Sequence, residues 1–230
     1  MPRYAGAMSP ALDTLELHPA GDPVASVIIL HGLGADGSDF LPVARQLDLG
    51  PVGPVRYVLP YAPERPVTIN GGYRMPAWYD ILGAGLDRAE DEAGLRESQR
   101  LVQGLVDREI GRGVAPSRIV LMGFSQGCAM TLLAGLRAPR RLGALVGLSG
   151  YLPLVATTAA ERSPANADVP IFLGHGRGDT VVPIGLAEVT RDTLRRLGHA
   201  VEWHEYPIEH SVNMDEIEDL QRFLARVLAA

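Results

Sequence analysis

The sequence predicts an α/β fold, a mostly parallel central sheet with helices on both faces, and three observations predict it. Short apolar runs alternate along the chain with longer amphipathic ones, the signature of strands joined by crossover helices. Several of the runs are apolar throughout, as strands buried on both faces are. The chain has 230 residues, 47% of them hydrophobic and 21% charged, enough to bury a sizeable core without a disulfide or a structural metal. Residues 1–230 are read as a single domain.

The elements follow in order. Residues 27–30 (VIIL) form a central strand and 55–59 a second. Residues 118–124 (RIVLMGF) form a third, 144–148 a fourth, and 171–173, after Pro170, a fifth. Residues 201–206 alternate and stop at Pro207, which marks a strand nearer an edge. Between them, residues 95–111 place Leu101, Val102, Leu105, Val106 and Ile110 on one helical stripe. Residues 126–136 are rich in Ala, Leu and Met, and 184–197 end at Gly198, a suitable residue just past a helix C-terminus. The last helix starts near Asn213, with Glu216 three residues on as in a capping box. Residues 142–160 carry no charge but hold three glycines and a proline, so they read as a buried strand and a loop rather than a membrane span. The exception is 60–94, rich in Pro, Gly and aromatics. It is read as a long inserted loop with no evident sheet partner, and loops of that length are usually functional.

Composition excludes several kinds of chemistry. The net charge of −6 argues against a nucleic-acid or anionic-membrane partner. There is no lysine, which removes Schiff-base, Ser-Lys and P-loop mechanisms. The single cysteine rules out an internal disulfide and allows a reducing compartment. Residues 1–12 show no signal-peptide pattern, so the expected location is cytoplasmic. No zinc-ligand cluster and no dinucleotide fingerprint occurs, so neither metal nor cofactor is expected.

The residues that carry chemistry begin with Gly123-Phe124-Ser125-Gln126-Gly127, where a strand ends and a helix begins. A nucleophile elbow belongs there: small flanking residues permit a sharp turn that lifts the serine oxygen above the sheet. A serine needs a base, and behind such elbows the chain order is Ser, acid, His. His210 follows the strand 201–206 at its C-terminal end, where open parallel sheets carry their sites. His199 lies between a helix and a strand, and His204 lies inside a strand. Asp179 follows the strand at 171–173 through a glycine-rich loop. Its rivals are placed less well: Asp168 precedes that strand and Asp192 belongs to a helix. His31-Gly32-Leu33-Gly34 after the first strand offers a backbone N–H for an oxyanion. The donors expected are those of Leu33 and Gln126. His31 and His175 are read as structural. Met75, Trp78 and Leu82, in the inserted loop, are expected to flank substrate, with Trp78 also able simply to pin the loop.

Five blocks together make this chain resemble the phospholipase/carboxylesterase family, which includes carboxylesterases and acyl-protein thioesterases. They are HGLGADGSDF at 31–40, PVTINGGYRMPAWYDI at 66–81, GFSQG at 123–127, HGRGDTVVP at 175–183 and EYPIEHS at 205–211. The resemblance implies an α/β-hydrolase fold without a large cap. It implies ester or thioester hydrolysis by Ser125, Asp179 and His210, with 60–94 beside the acyl pocket. Some relatives are dimers, so it also allows a homodimer. The chain departs from the family at Cys128, where glycine is usual. Cys128 is read as a small buried residue whose bulk, one turn from Ser125, could narrow the acyl pocket. The reading is a serine carboxylesterase acting on small ester or acyl-thioester substrates, with no nucleic acid and no stable membrane insertion. The alternatives are a thioesterase of acylated proteins or a lysophospholipase and, more remotely, a non-catalytic ligand-binding module.

Overall fold

The computed structural model describes residues 12–83 and 89–229. Its strands are β1 (Thr14–Leu17), β2 (Ala25–Leu30), β3 (Val55–Pro60), β4 (Glu64–Val67), β5 (Tyr73–Pro76), β6 (Ile119–Phe124), β7 (Ala144–Leu148), β8 (Ile171–Gly176) and β9 (Val201–Tyr206). Its helices are α1 (Leu41–Gln46), α2 (Glu92–Gly111), α3 (Gln126–Arg137), α4 (Val155–Glu161), α5 (Ile184–Arg196) and α6 (Met214–Ala229). Seven strands make one sheet in the order β1-β3-β2-β6-β7-β8-β9, parallel except for β1, which runs antiparallel to β3 at the edge. This is the α/β-hydrolase fold. Among the described residues no helix is long and apolar enough to cross a membrane.

The apolar strands work because successive side chains point to opposite faces. Ile28, Leu30, Leu121, Leu145, Ile171 and Leu173 join α2, α3 and α5 in one core. Val27, Ile29, Val120, Met122, Val146 and Phe172 join α1 and α6 in the other. Helix α3 is buried from Gln126 to Leu136, which explains its small and apolar composition. The chain builds from β2 to β3 on one side, then crosses to β6 and continues to β9 on the other. The order therefore reverses beside β2, and the turns after β2 and β6 open a crevice at that switch point.

Two sequence expectations change here. The segment 60–94 has a sheet partner, namely itself: β4 and β5 pair antiparallel as a separate hairpin, with Arg65 opposite Met75. Residues 84–88 of that loop lie outside the described residues. The stretch after β7 is not all loop, because α4 forms there. Thr158 returns its hydroxyl to the Leu154 carbonyl, and Arg137 pairs with Glu161 across the fold.

Two buried glutamates are treated in opposite ways. Glu109 is met by Arg56 at 2.8 Å, Arg112 at 2.9 Å and the Ser26 hydroxyl at 2.6 Å. Glu216, at the start of α6, packs against Gly174 with neither carboxyl oxygen hydrogen-bonded among the described residues. Burial, reinforced by the Asp219 charge, pushes its carboxyl from 4.5 up to about 8. The folded chain then holds a proton that the unfolded chain has released. Stability from this group is full below the unfolded value and is lost as pH climbs toward about 8. Glu216→Gln keeps the shape and removes the equilibrium. The variant is expected to lose this pH dependence and to exceed wild type by on the order of 4 kcal/mol near pH 8. Urea melts at about pH 5 and about pH 8 test this; parallel pH profiles for the two proteins would refute it.

Candidate active site

The elbow depends on two close approaches. A β-carbon at Gly123 would lie 2.2 Å from the Gly127 carbonyl oxygen, and one at Gly127 would lie 2.0 Å from the Leu30 carbonyl oxygen. With glycine at both, the end of β6 and the start of α3 can fold against each other and against the end of β2. Ser125 between them sits at φ 56°, ψ −116°, a conformation that costs a non-glycine residue on the order of 1–3 kcal/mol and collects at functional sites. Its N–H is anchored to the Leu148 carbonyl at 2.9 Å.

Asp179 is fully engaged. Its Oδ1 accepts the N–H groups of Val181 at 2.9 Å and Val182 at 2.8 Å, and its Oδ2 lies 2.7 Å from His210 Nδ1. The carboxylate is wholly buried and the imidazole largely so. Gly176 permits this meeting, since a β-carbon there would strike the carbonyl oxygens of Ile208 and Glu209. The two loops are further joined by Arg177 N–H to the Tyr206 carbonyl and Gly178 N–H to the Ile208 carbonyl. The His210 ring lies 4.7 Å from the Phe124 ring, centroid to centroid, beside the residue that precedes Ser125. The structure thus gathers Ser125, Asp179 and His210 at the C-terminal ends of β6, β8 and β9.

The other histidines and acids fall elsewhere. His175 donates from Nε2 to the Val182 carbonyl at 2.8 Å, and burial holds it below the usual histidine range. His31 accepts the Ala62 N–H at Nε2, so its proton is on Nδ1, which donates to the Gly32 carbonyl at 2.7 Å. His204 stacks on Phe172 and lies 3.2 Å from Asp219 of α6. Asp168 is exposed and pairs with Arg141.

The turn after β2 lies against the elbow: a β-carbon at Gly32 would be 3.4 Å from Ser125 Cβ. Gly34 N–H is held by the Pro76 carbonyl at 2.9 Å and Ala35 N–H by Gly32 at 3.3 Å. Leu33 and Gln126 both line a cavity of about 430 Å³ with Ser125 at its side, within the ~300–1,000 Å³ range of small-ligand sites. Its wall differs from the sequence expectation. Met75, Trp78 and Leu82 do not line it; Ile69, Tyr79, Ile81, Tyr151, Val181 and Leu186 do. Trp78 is completely buried and its indole is bonded to the His31 carbonyl. Met75 belongs to the hairpin, where its sulfur faces Gly34 and accepts from Asn70. Leu82 is exposed between two lining residues. The missed wall after Asp179 had a signal: Thr-Val-Val-Pro is an apolar run directly behind a strand-end acid.

Cys128 does not narrow this cavity. Its sulfur packs over Gly147 and Gly150, and burial pushes the thiol up to about 12. Cys128→Ala is expected to keep kcat/KM within ~tenfold. Iodoacetamide is expected to label the native thiol at least ~100-fold more slowly than the unfolded chain, followed by intact mass. Fast native labelling with loss of activity would overturn this placement.

A sheet of this order with a strained serine at the switch point, and a hydrogen-bonded Asp–His pair at the neighbouring strand ends beside Phe124, defines a serine hydrolase of the α/β-hydrolase fold. The chain belongs to the phospholipase/carboxylesterase family, whose family model matches residues 15–228, as the five sequence blocks implied. It is 39% identical over 218 residues to acyl-protein thioesterase 1 of Gibberella zeae, covering 91% of this chain and 93% of that protein. It is 38% identical to acyl-protein thioesterase 1 of Yarrowia lipolytica, covering 87% and 90%. Among solved structures it is similar to Zea mays acyl-protein thioesterase 2, with a TM-score of 0.82 at 29% identity, covering 94% and 99%. Arabidopsis thaliana SOBER1 gives 0.85 at 28%, covering 89% and 99%.

Proposed function

We propose that this enzyme hydrolyses acyl thioesters, with acylated protein cysteines as the substrate class, rather than acting chiefly as a carboxylesterase of small esters. The observation that carries this reading is the near full-length similarity to proteins named acyl-protein thioesterase. It is supported by an apolar cavity whose rim residues Val181 and Ile69 are 67% and 46% exposed, an open mouth that suits a chain presented on a larger body.

In this reading Ser125 Oγ attacks the acyl carbonyl as His210 Nε2 takes its proton. Asp179 holds the imidazole with its other proton on Nδ1. The N–H groups of Leu33 and Gln126 receive the oxyanion. Collapse of the tetrahedral species breaks the C–S bond, and the His210 proton passes to the departing thiolate. Water, deprotonated by His210, then attacks the acyl-serine and releases the carboxylic acid and free Ser125. No step draws on a metal or organic cofactor.

The test compares an S-acyl cysteine peptide with the matched O-acyl serine peptide. The thioester is expected to have at least ~tenfold higher kcat/KM, and a preference for the ester would return the assignment to carboxylesterase. Leu186→Trp, which fills the cavity, is expected to lower kcat/KM for long acyl chains relative to short ones by ~10–200-fold. An unchanged chain-length profile would place the acyl group elsewhere.

A further inference from the structure

The two amides assigned to the oxyanion sit on separate elements, Leu33 on the turn after β2 and Gln126 at the start of α3. Such donors serve only when both lie about 2.7–3.1 Å from the point where charge develops. A misplacement of about 1 Å can cost on the order of 100-fold. Something must hold the two elements in register, and the side chain of Gln126 lies where it can do so. Its Oε1 accepts the Trp78 N–H at 2.7 Å, and its Nε2 donates to the Tyr79 carbonyl at 2.7 Å. A backbone N–H must donate and a carbonyl must accept, so these two partners fix the orientation of the amide. Trp78 carries the connection onward. Its indole N–H donates to the His31 carbonyl at 2.9 Å, its ring lies 5.5 Å from the His31 ring, and its own carbonyl accepts the Ser98 hydroxyl. His31 then grips the Gly32 carbonyl, one residue before Leu33, while Gly34 just beyond is tied to Pro76.

We propose that the Gln126 side chain is a positioning residue for the reaction. It bridges the elbow to the Trp78–Tyr79 backbone, and through the Trp78 indole and His31 it keeps the Leu33 N–H aligned with its own. The proposal rests on the hydrolase reading above. Glutamine suits the task because consecutive residues present one donor and one acceptor, and a primary amide answers both. Glutamate has the same shape, but its carboxylate meets the Tyr79 carbonyl with no proton to give.

Gln126→Glu and Trp78→Phe test the two links separately, with folding checked by thermal melts. Each is compared with wild type for kcat, KM, binding of a trifluoromethyl ketone that forms an oxyanion on Ser125, and binding of an unreactive alkyl amide. Gln126→Glu is expected to lower kcat by ~10–100-fold with KM within ~threefold, and to weaken the trifluoromethyl ketone by a similar factor while leaving the alkyl amide unaffected. Trp78→Phe should show the same pattern more weakly, and carries the test alone if the glutamate variant does not fold. The double variant should lose less than the product of the single losses, because both act through one chain of contacts. A folded Gln126→Glu enzyme with kcat within ~threefold of wild type, a Trp78→Phe enzyme equal to wild type in both kcat and ketone binding, or equal weakening of ketone and amide in either, overturns the proposal. Absence of fluorophosphonate labelling of Ser125 in the wild-type protein would instead overturn the hydrolase reading beneath it.

Discussion

Replacing Ser125 by alanine is expected to lower kcat by on the order of 10⁶-fold and to abolish labelling by a fluorophosphonate probe. The wild-type protein should take up one adduct by intact mass, mapped to Ser125, and the variant none. The expectation is specific because the other serines near the sheet are poorly placed. Ser149 also has a positive φ, but it is fully buried, as are Ser26 and Ser98. Adduct formation that survives Ser125→Ala would move the nucleophile elsewhere. The backbone gives a second readout that is independent of activity. Alanine keeps the strain of φ 56°, whereas glycine relieves it. Ser125→Gly should therefore be more stable than Ser125→Ala by about 1 kcal/mol, despite equal inactivity. Equal melting points would mean that the turn stores no strain.

Much of this site was legible in the sequence because its parts are local. GFSQG announces its own turn, since both glycines are demanded by contacts within a few residues or with the end of β2. The central strands β2, β6 and β7 were legible for a similar reason: near-complete burial leaves each an almost uninterrupted apolar run, whereas β9 at the edge shows only an alternating pattern. What escaped was set by tertiary contact. β1 is four half-buried residues whose pairing with β3 no local pattern announces. The β4–β5 hairpin hides behind prolines at 63, 66 and 76, and only its register shows that Glu64 faces Pro76. Which apolar side chains of the 60–94 loop turn to the cavity and which turn to the core is likewise set by tertiary packing, which no local pattern in the loop announces. Trp78 is the largest apolar side chain in its loop, and for that reason it is sealed in the core, while the smaller Ile69 and Val181 stand at the mouth.

Asp179→Asn is expected to cost on the order of 10⁴ in kcat while leaving the protein folded, by analogy with the buried acid of serine proteases. The hydrogen bonds say why the loss should be large. Oδ1 of Asp179 accepts two backbone N–H groups, from Val181 and Val182, which can only donate. An asparagine must offer its single oxygen to that pair, which turns its NH₂ group toward His210 Nδ1, now 2.7 Å from Oδ2. Two donors cannot face each other, so the imidazole must present Nδ1 as an acceptor and carry its proton on Nε2. That is the nitrogen that has to take the serine proton, and it arrives already occupied. His175, with Nε2 3.4 Å from the same oxygen, meets the new NH₂ with its own N–H, which adds a modest loss of stability. Asp168→Asn is the control. That side chain is 78% exposed, pairs with Arg141 before β8 begins, and should retain kcat within ~twofold. The decisive measurement is kcat for both variants alongside their melting curves. A folded Asp179→Asn enzyme near wild-type rate, with Asp168→Asn inactive, would show that the imidazole takes its orientation from a different carboxylate.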